Sequence, residues 1–180
     1  KNYHVIPQVI PNGIRLNASD QIMELHNPPV VVFAGRFMAQ KNLLVFVEIL
    51  NSVKDLDWKC VMMGDGPLYQ QVKARIDELG LSDRVSLPGW VDTITVLATF
   101  DKSDILLMPS LSEGLSVVGV QALVAGLAIM ANDVGGFTDL VENNRNGFLA
   151  RAGDITALSE ALRRYLSNPE LLLKSRQQSL

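Results

Sequence analysis

The stretch Ile105-Leu106-Leu107-Met108-Pro109-Ser110-Leu111-Ser112-Glu113-Gly114-Leu115-Ser116 opens an apolar segment over residues 117–125. A short apolar run, a glycine-containing loop and a second apolar segment read as strand, loop and helix. Backbone N–H groups at a helix N-terminus have no intrahelical acceptor and attract anions, phosphates among them. Glu113 places one carboxylate beside them, and Gln121 follows eight residues later. The segment reads as a receptor for the phosphate end of an activated substrate. An ordinary alternative for Glu113 is a capping acid in a first helical turn, where the dipole favours it. Gln121 lies in a helix that is apolar nearly all round, so its amide must find partners, either in the protein or in a ligand hydroxyl.

The same alternation continues on both sides. Residues 30–34 form a β-branched run that predicts a buried strand, and Leu43, Phe46, Val47, Leu50 and Val53 within 41–54 have helical spacing. A second strand is predicted over 58–63, ending at Gly64-Asp65-Gly66-Pro67. Pro67 can begin a helix, with Val72, Ile76 and Leu79 on one face and Gly80 as its stop. A third strand at 84–87 precedes Pro88-Gly89, a short helix carries Ile94, Leu97 and Ala98, and a fourth strand spans 104–108. Beyond the helix at 117–125, strands are predicted at 127–131 and 148–150, and short helices at 138–142 and 169–180. An amphipathic helix over 154–166 sets Ile155, Leu158, Leu162 and Leu166 on one side.

Strands alternating with helices at this spacing predict an α/β fold, a doubly wound Rossmann-like parallel sheet of about six strands. Residues 1–29, with their five Pro and Gly, read as a linker and an incoming strand, 30–168 as the Rossmann-like domain, and 169–180 as a terminal helix returning toward another domain. Ligands on such sheets bind at the carboxyl ends of strands near the switch point. Gly35-Arg36, Gly64–Pro67, Gly89-Trp90 and Ser110–Ser116 all fall there.

Composition narrows the function. Hydrophobic residues make up 48% and charged residues 19%, with a mean hydropathy of +0.19. Strands buried on both faces would produce that, as would an apolar face meant for a partner domain. A net charge of −3 offers no electrostatic footprint for nucleic acid. The single cysteine, Cys60, rules out an internal disulfide and fits a reducing compartment. No apolar run approaches a membrane span. The chain starts at Lys1 rather than Met and is expected to be a piece of a longer protein.

Arg36 and Lys41 could converge on a diphosphate, the first through its fork and the second as a point charge; two surface cations near a loop is the plainer alternative. Gly64-Asp65-Gly66 fails the dinucleotide fingerprint because Tyr69 stands at the third glycine position, so a tight turn is expected. Asp55-Leu56-Asp57 lies in a turn on the wrong edge of the sheet for metal chemistry. His4 and His26 have no ligand-spaced partners, and Asn17-Ala18-Ser19 reads as a loop. No nucleophile–base arrangement and no metal site are suggested.

Taken in order, these segments resemble the C-terminal, donor-binding domain of a retaining glycosyltransferase of family 4, with the GT-B fold. The resemblance covers essentially the whole chain. Its carriers are Val9-Ile10-Pro11-Asn12-Gly13-Ile14, Gly35-Arg36 with Lys41, Gly64-Asp65-Gly66-Pro67, Pro109-Ser110 through Glu113-Gly114, Val134-Gly135-Gly136 and Asn146-Gly147-Phe148-Leu149. It implies that Arg36 and Lys41 bind the diphosphate of a nucleotide-sugar donor. Glu113 would contact hydroxyls of the transferred sugar. The backbone N–H groups of Leu115, Ser116 and Val117 would meet sugar and phosphates, within a donor site that also takes in Gly35, Gly64, Gly66, Ser112 and Gly114. The loop at Trp90 would hold the base. Gln121 departs from the family, which usually has a second Glu there for the ribose hydroxyls; an amide still accepts from a hydroxyl, without charge assistance.

The resemblance further implies sugar transfer without metal or cofactor, from a nucleotide-diphosphate donor (UDP favoured) to a glycan or lipid-linked acceptor. The acceptor half would be an N-terminal domain outside this chain, and the setting cytoplasmic, at the inner face of a membrane. Gln121 also favours a different class, a binding or interaction domain that has lost turnover. A dinucleotide oxidoreductase is disfavoured by the missing third glycine.

Overall fold

The computed structural model describes residues 24–180. One sheet of six parallel strands has the order β3-β2-β1-β4-β5-β6. The strands are β1 Val30–Ala34, β2 Lys59–Met63, β3 Val85–Gly89, β4 Ile105–Met108, β5 Ala128–Asn132 and β6 Gly147–Ala150. The helices are α1 Leu43–Ser52, α2 Tyr69–Glu78, α3 Thr93–Phe100, α4 Val117–Val124, α5 Phe137–Leu140, α6 Ile155–Leu166 and α7 Pro169–Gln177. The order reverses between β1 and β4, as a doubly wound sheet requires. The expected linker and incoming strand lie, up to residue 23, outside the described residues, as do Val9–Ile14 and His4; residues 24–29 carry no helix or strand.

The high hydropathy is a consequence of the topology. Every residue of β4 and β5 is buried, and β1 is buried from Val31 onward, so the central strands need apolar residues on both faces. Leu43, Phe46, Val47, Ile49 and Leu50 of α1 join that core, and α1 packs against α2 and α6. In α6 the buried stripe is Leu158, Leu162 and Tyr165 rather than the expected set: Ile155, at the first turn, is 38% exposed. Asp154 caps that turn, accepting from the Ala157 N–H at 2.9 Å.

One boundary differs from expectation for a topological reason. The third strand does not stop at residue 87 but runs through Pro88 to Gly89, with an irregularity in its pairing to β2. β3 is an edge strand, so the N–H that Pro88 lacks has no ladder bond to lose.

The terminal helix α7 is held on this domain by burial and hydrogen bonds. Asn168 caps α7, Leu172, Ser175 and Arg176 are buried, and the Arg176 Nε donates to the Gly126 carbonyl at 2.9 Å. The Arg176 Nη1 also donates to Asp104, a fully buried carboxylate at the amino end of β4. The same carboxylate accepts from the Val30 N–H at 2.8 Å and from the backbone and Nδ1 of His26 at 3.2 and 3.1 Å. His26, unpartnered by spacing in the sequence, thus finds its partner across the fold. Burial pushes the Arg176 pKa down, and Asp104 opposes that shift.

Removing one member of such a pair leaves an uncompensated buried charge. Arg176→Met is expected to lower unfolding free energy by about 3–5 kcal/mol in urea titration. A loss within the error of wild type would show that Asp104 is satisfied by His26 and Val30 alone.

Candidate functional site

The site begins where the sheet stops pairing. β1 and β2 are in register over all five residues, but β1 and β4 only at Val31↔Ile105 and Val32↔Leu106. Beyond these pairs a cleft of about 460 Å³ opens at the carboxyl edge, lined by Ala34–Arg36, Met63–Asp65, Trp90, Val91, Thr93, Val96, Val117, Val118 and Gln121. It therefore brings together Gly35, Arg36, Gly64, Trp90, Val117 and Gln121 from the expected set. Gly66, Lys41, Ser112, Glu113, Gly114, Leu115 and Ser116 do not line it; they lie on the loops that lead out of it.

Those loops are tied to one another by backbone and side-chain bonds. The Gly64 N–H donates to Gly89 C=O at 2.8 Å, and Phe37 N–H to Asp65 C=O at 2.9 Å. Phe37 is fully buried, its ring edge-on to Phe33 at 5.8 Å and tilted against Tyr69 at 5.5 Å. A Cβ on Gly64, where φ is +140°, would lie 1.9 Å from Gly35 C=O, so only glycine allows this approach. Tyr69, at the third position of the failed fingerprint, starts α2 and donates its hydroxyl to Leu87 C=O at 3.0 Å. Gly64–Gly66 is a turn that braces its neighbours, as expected from that failure.

Between β1 and β4 the loops converge again. Leu111 N–H donates to Gln40 C=O at 2.8 Å, and Gln40 Nε2 donates to Ser112 C=O at 2.6 Å. Lys41 Nζ meets Glu113 Oε1 at 2.5 Å, with side-chain exposures of only 16% and 9%. The two ionic groups assigned separate contacts in the sequence are therefore partners in the fold. Arg36 is exposed, and its guanidinium has no hydrogen-bond or ion-pair partner among the described residues.

Glu113 is not a cap. The N-cap of α4 is Ser116, whose Oγ accepts the Gly119 N–H at 3.0 Å. Of the three expected backbone donors, Val117 N–H is taken by Leu115 C=O at 3.1 Å, while those of Leu115 and Ser116 have no acceptor among the described residues. Gln121 is 9% exposed and its amide has no protein partner among the described residues, so the cleft is what remains for it.

The sequence left Val134-Gly135-Gly136 without a role. It is the rear support of the Glu113 loop: Gly136 N–H donates to Gly114 C=O at 2.9 Å, and a Cβ on Gly135 would fall 1.8 Å from Glu113 C=O. Asn132 was missed too; an amide closing the otherwise apolar β5 was the available signal. The expected solvated turn at Asp55 holds, with Arg163 gripping its carboxylate at 2.7 Å and holding it near pKa 2. Among the described residues no cluster of three or more His, Cys, Asp or Glu is placed to hold a metal.

Gly135→Ala is expected to cost about 2–3 kcal/mol of unfolding free energy. Gly153 shares a positive φ of +89° but has open space around it. Its alanine variant should cost about 1 kcal/mol, the backbone strain alone. Equal losses would show that the approach of residue 135 to Glu113 is relaxed without penalty.

Solved structures share this architecture. The C-terminal domain of a glycosyl transferase group 1 family protein, LpcC of Francisella tularensis, superposes with a TM-score of 0.76 at 20% identity, over 84% of this chain and 82% of that one. HepE of Anabaena in complex with UDP gives 0.75 at 22% identity, over 85% of this chain and 43% of that one. At these identities the likeness establishes the fold, that of GT-B glycosyltransferases. Among curated proteins, a 2-deoxystreptamine glucosyltransferase of Streptomyces kanamyceticus is 32% identical over 81% of this chain and 38% of its own length. The UDP-Gal:alpha-D-GlcNAc-diphosphoundecaprenol alpha-1,3-galactosyltransferase of Escherichia coli is 30% identical over 93% of this chain and 47% of its own length. The chain thus spans less than half the length of these relatives. The family model described as Glycosyl transferases group 1 matches residues 16–179, and the chain belongs to that family.

Proposed function

We propose that this chain is the donor-binding part of a retaining, family 4 glycosyltransferase. The full enzyme would move a sugar from a nucleotide diphosphate, UDP favoured, to a glycan or lipid-linked acceptor. An N-terminal domain would supply the acceptor side, working at the inner, cytoplasmic face of a membrane. The observation that carries this is the cleft at the switch point, which has in one cavity the side chains of Arg36 and Gln121, neither with a partner among the described residues. The Leu115 and Ser116 N–H groups immediately precede α4, whose Val117, Val118 and Gln121 line the cleft. The E. coli relative uses a UDP-sugar by name, and HepE was solved with UDP.

The residues divide the work. A glycosyl–phosphate bond breaks with oxocarbenium-like character at the sugar, and negative charge collects on the leaving diphosphate. Arg36 meets that charge through its fork. Lys41 and the N-terminus of α4 stabilise it further, with no metal in the scheme. Glu113 has two tasks: it holds Lys41 in place and offers its remaining oxygen to sugar hydroxyls. Trp90, 76% exposed at the cleft mouth, stands beside the base. Gln121 accepts from ribose hydroxyls as a neutral amide.

A second reading, a nucleotide-sugar-binding domain without turnover, is favoured by Gln121 alone. Gln121→Glu in the full-length protein separates the two. A large gain in donor affinity would mark a degraded site, and a loss would mark an amide adapted to its own donor.

Calorimetry with UDP and GDP tests the donor site on the chain itself, which should bind weakly and transfer nothing. No heat from either, with the protein folded, would sink the proposal. Arg36→Ala should weaken binding by about 1.5–3 kcal/mol, the worth of a charged hydrogen bond. Lys41→Ala should cost more, because Glu113 is then left as a bare carboxylate beside the phosphates. Glu113→Gln should do the reverse for binding, unscreening Lys41 and tightening UDP several-fold, while transfer by the full-length enzyme falls.

A further inference from the structure

The loop that carries Glu113 leaves the sheet at Pro109, one residue past the last pairing between β4 and β5, Met108↔Ala131. The next residue along β5 is Asn132, 1% exposed at the end of a strand whose other members are Ala128, Ile129, Met130 and Ala131. Its backbone does not continue the ladder to β4. Its side chain replaces it: Nδ2 donates to Pro109 C=O and to Ser110 C=O, each at 3.0 Å. Two consecutive carbonyls that have left the sheet are thus held by one amide. The arrangement is not the least costly way to fill the space. Asn132 Oδ1 and Ser110 Oγ are both buried without a hydrogen-bond partner among the described residues, and buried unpartnered polar atoms are rare in native folds. An apolar side chain at 132 would remove the orphan Oδ1, but at the cost of leaving the Pro109 and Ser110 carbonyls without a donor. Polar groups kept against the interest of packing mark places where geometry matters more than stability.

We propose that Asn132 is a positioning residue of the donor site, fixing the point at which the 109–116 loop departs so that Glu113 reaches Lys41 and the Leu115 and Ser116 N–H groups face outward. The inference rests on the reading of the cleft as a donor site. Asn132 touches no reacting atom in this scheme. It acts through the backbone of the loop, together with Gln40 on Ser112 from the opposite side. Gln40 bridges loops at an exposed position, whereas Asn132 works from the buried floor.

The test compares wild type, Asn132→Leu and Asn132→Thr on the whole chain, by thermal unfolding, amide hydrogen exchange and UDP calorimetry. Leucine keeps the γ-branched outline though it is bulkier, removes both donated bonds and removes the unpartnered acceptor. It should lower Tm only slightly, the two carbonyls left without a donor being partly offset by removal of the orphan oxygen. The Leu111 and Gly136 amides, which tie the loop to Gln40 and Gly114, should exchange at least about tenfold faster, and UDP should bind about tenfold more weakly. The Gly35 amide, bonded to Met63 C=O, should exchange as before. Threonine keeps one donor and should give a smaller loss in both readouts, which also decides the matter if the leucine variant does not fold. Unchanged exchange at Leu111 and Gly136 would overturn the proposal. So would faster exchange across the whole sheet in step with a lower Tm, which is what a merely structural residue would give. A wild type that binds no UDP would sink the donor reading instead, and the exchange data would still decide the role of Asn132.

Discussion

The site depends on the interrupted pairing of β1 with β4. Both strands are central and buried, yet their ladder covers only Val31↔Ile105 and Val32↔Leu106. A parallel sheet that reverses its winding must send the crossovers from these two strands to opposite faces, and the crevice between them follows from that. What the sheet does not join, the loops must, and they do so with polar groups: Gln40 to Ser112, Leu111 to Gln40, and Lys41 to Glu113. The seam is therefore closed by bonds whose strength depends on charge and solvent, above a core in which nearly everything else is apolar.

That division explains why so much lies in glycine. Two rows of loops can share hydrogen bonds across the carboxyl edge only if their backbones come within contact distance, and Gly64 and Gly135 stand at those contacts, against Gly35 and Glu113. In both cases the neighbour is a carbonyl oxygen, which cannot swing aside as a flexible side chain would. The segments around them were visible as motifs, while their function as spacers appears only in three dimensions.

The strands and helices were legible because their signals are local: β-branched runs at 30–34, helical spacing in 41–54, glycine and proline between them. What was not legible follows from partners distant in the chain. That the third strand continues through Pro88 depends on β3 being an edge. That His26 is bonded depends on Asp104, and that Glu113 is not a cap depends on where α4 begins, at Ser116 rather than earlier. Within the site, residue types pointed to Arg36, Lys41, Glu113 and Gln121, and the cleft gathers Arg36 and Gln121. Spacing gave no hint that Lys41 spends its charge on Glu113, because that meeting is set by the register of β1 against β4.

At the other edge of the sheet, Asp104 receives His26 from the segment before β1 and Arg176 from α7. Two stretches separated by most of the domain end on one carboxylate. The chain path is thereby closed into a noncovalent ring, and loosening of either end weakens the hold on the other. The segment before β1 and the last helix thus share one carboxylate, at the edge of the sheet away from the cleft.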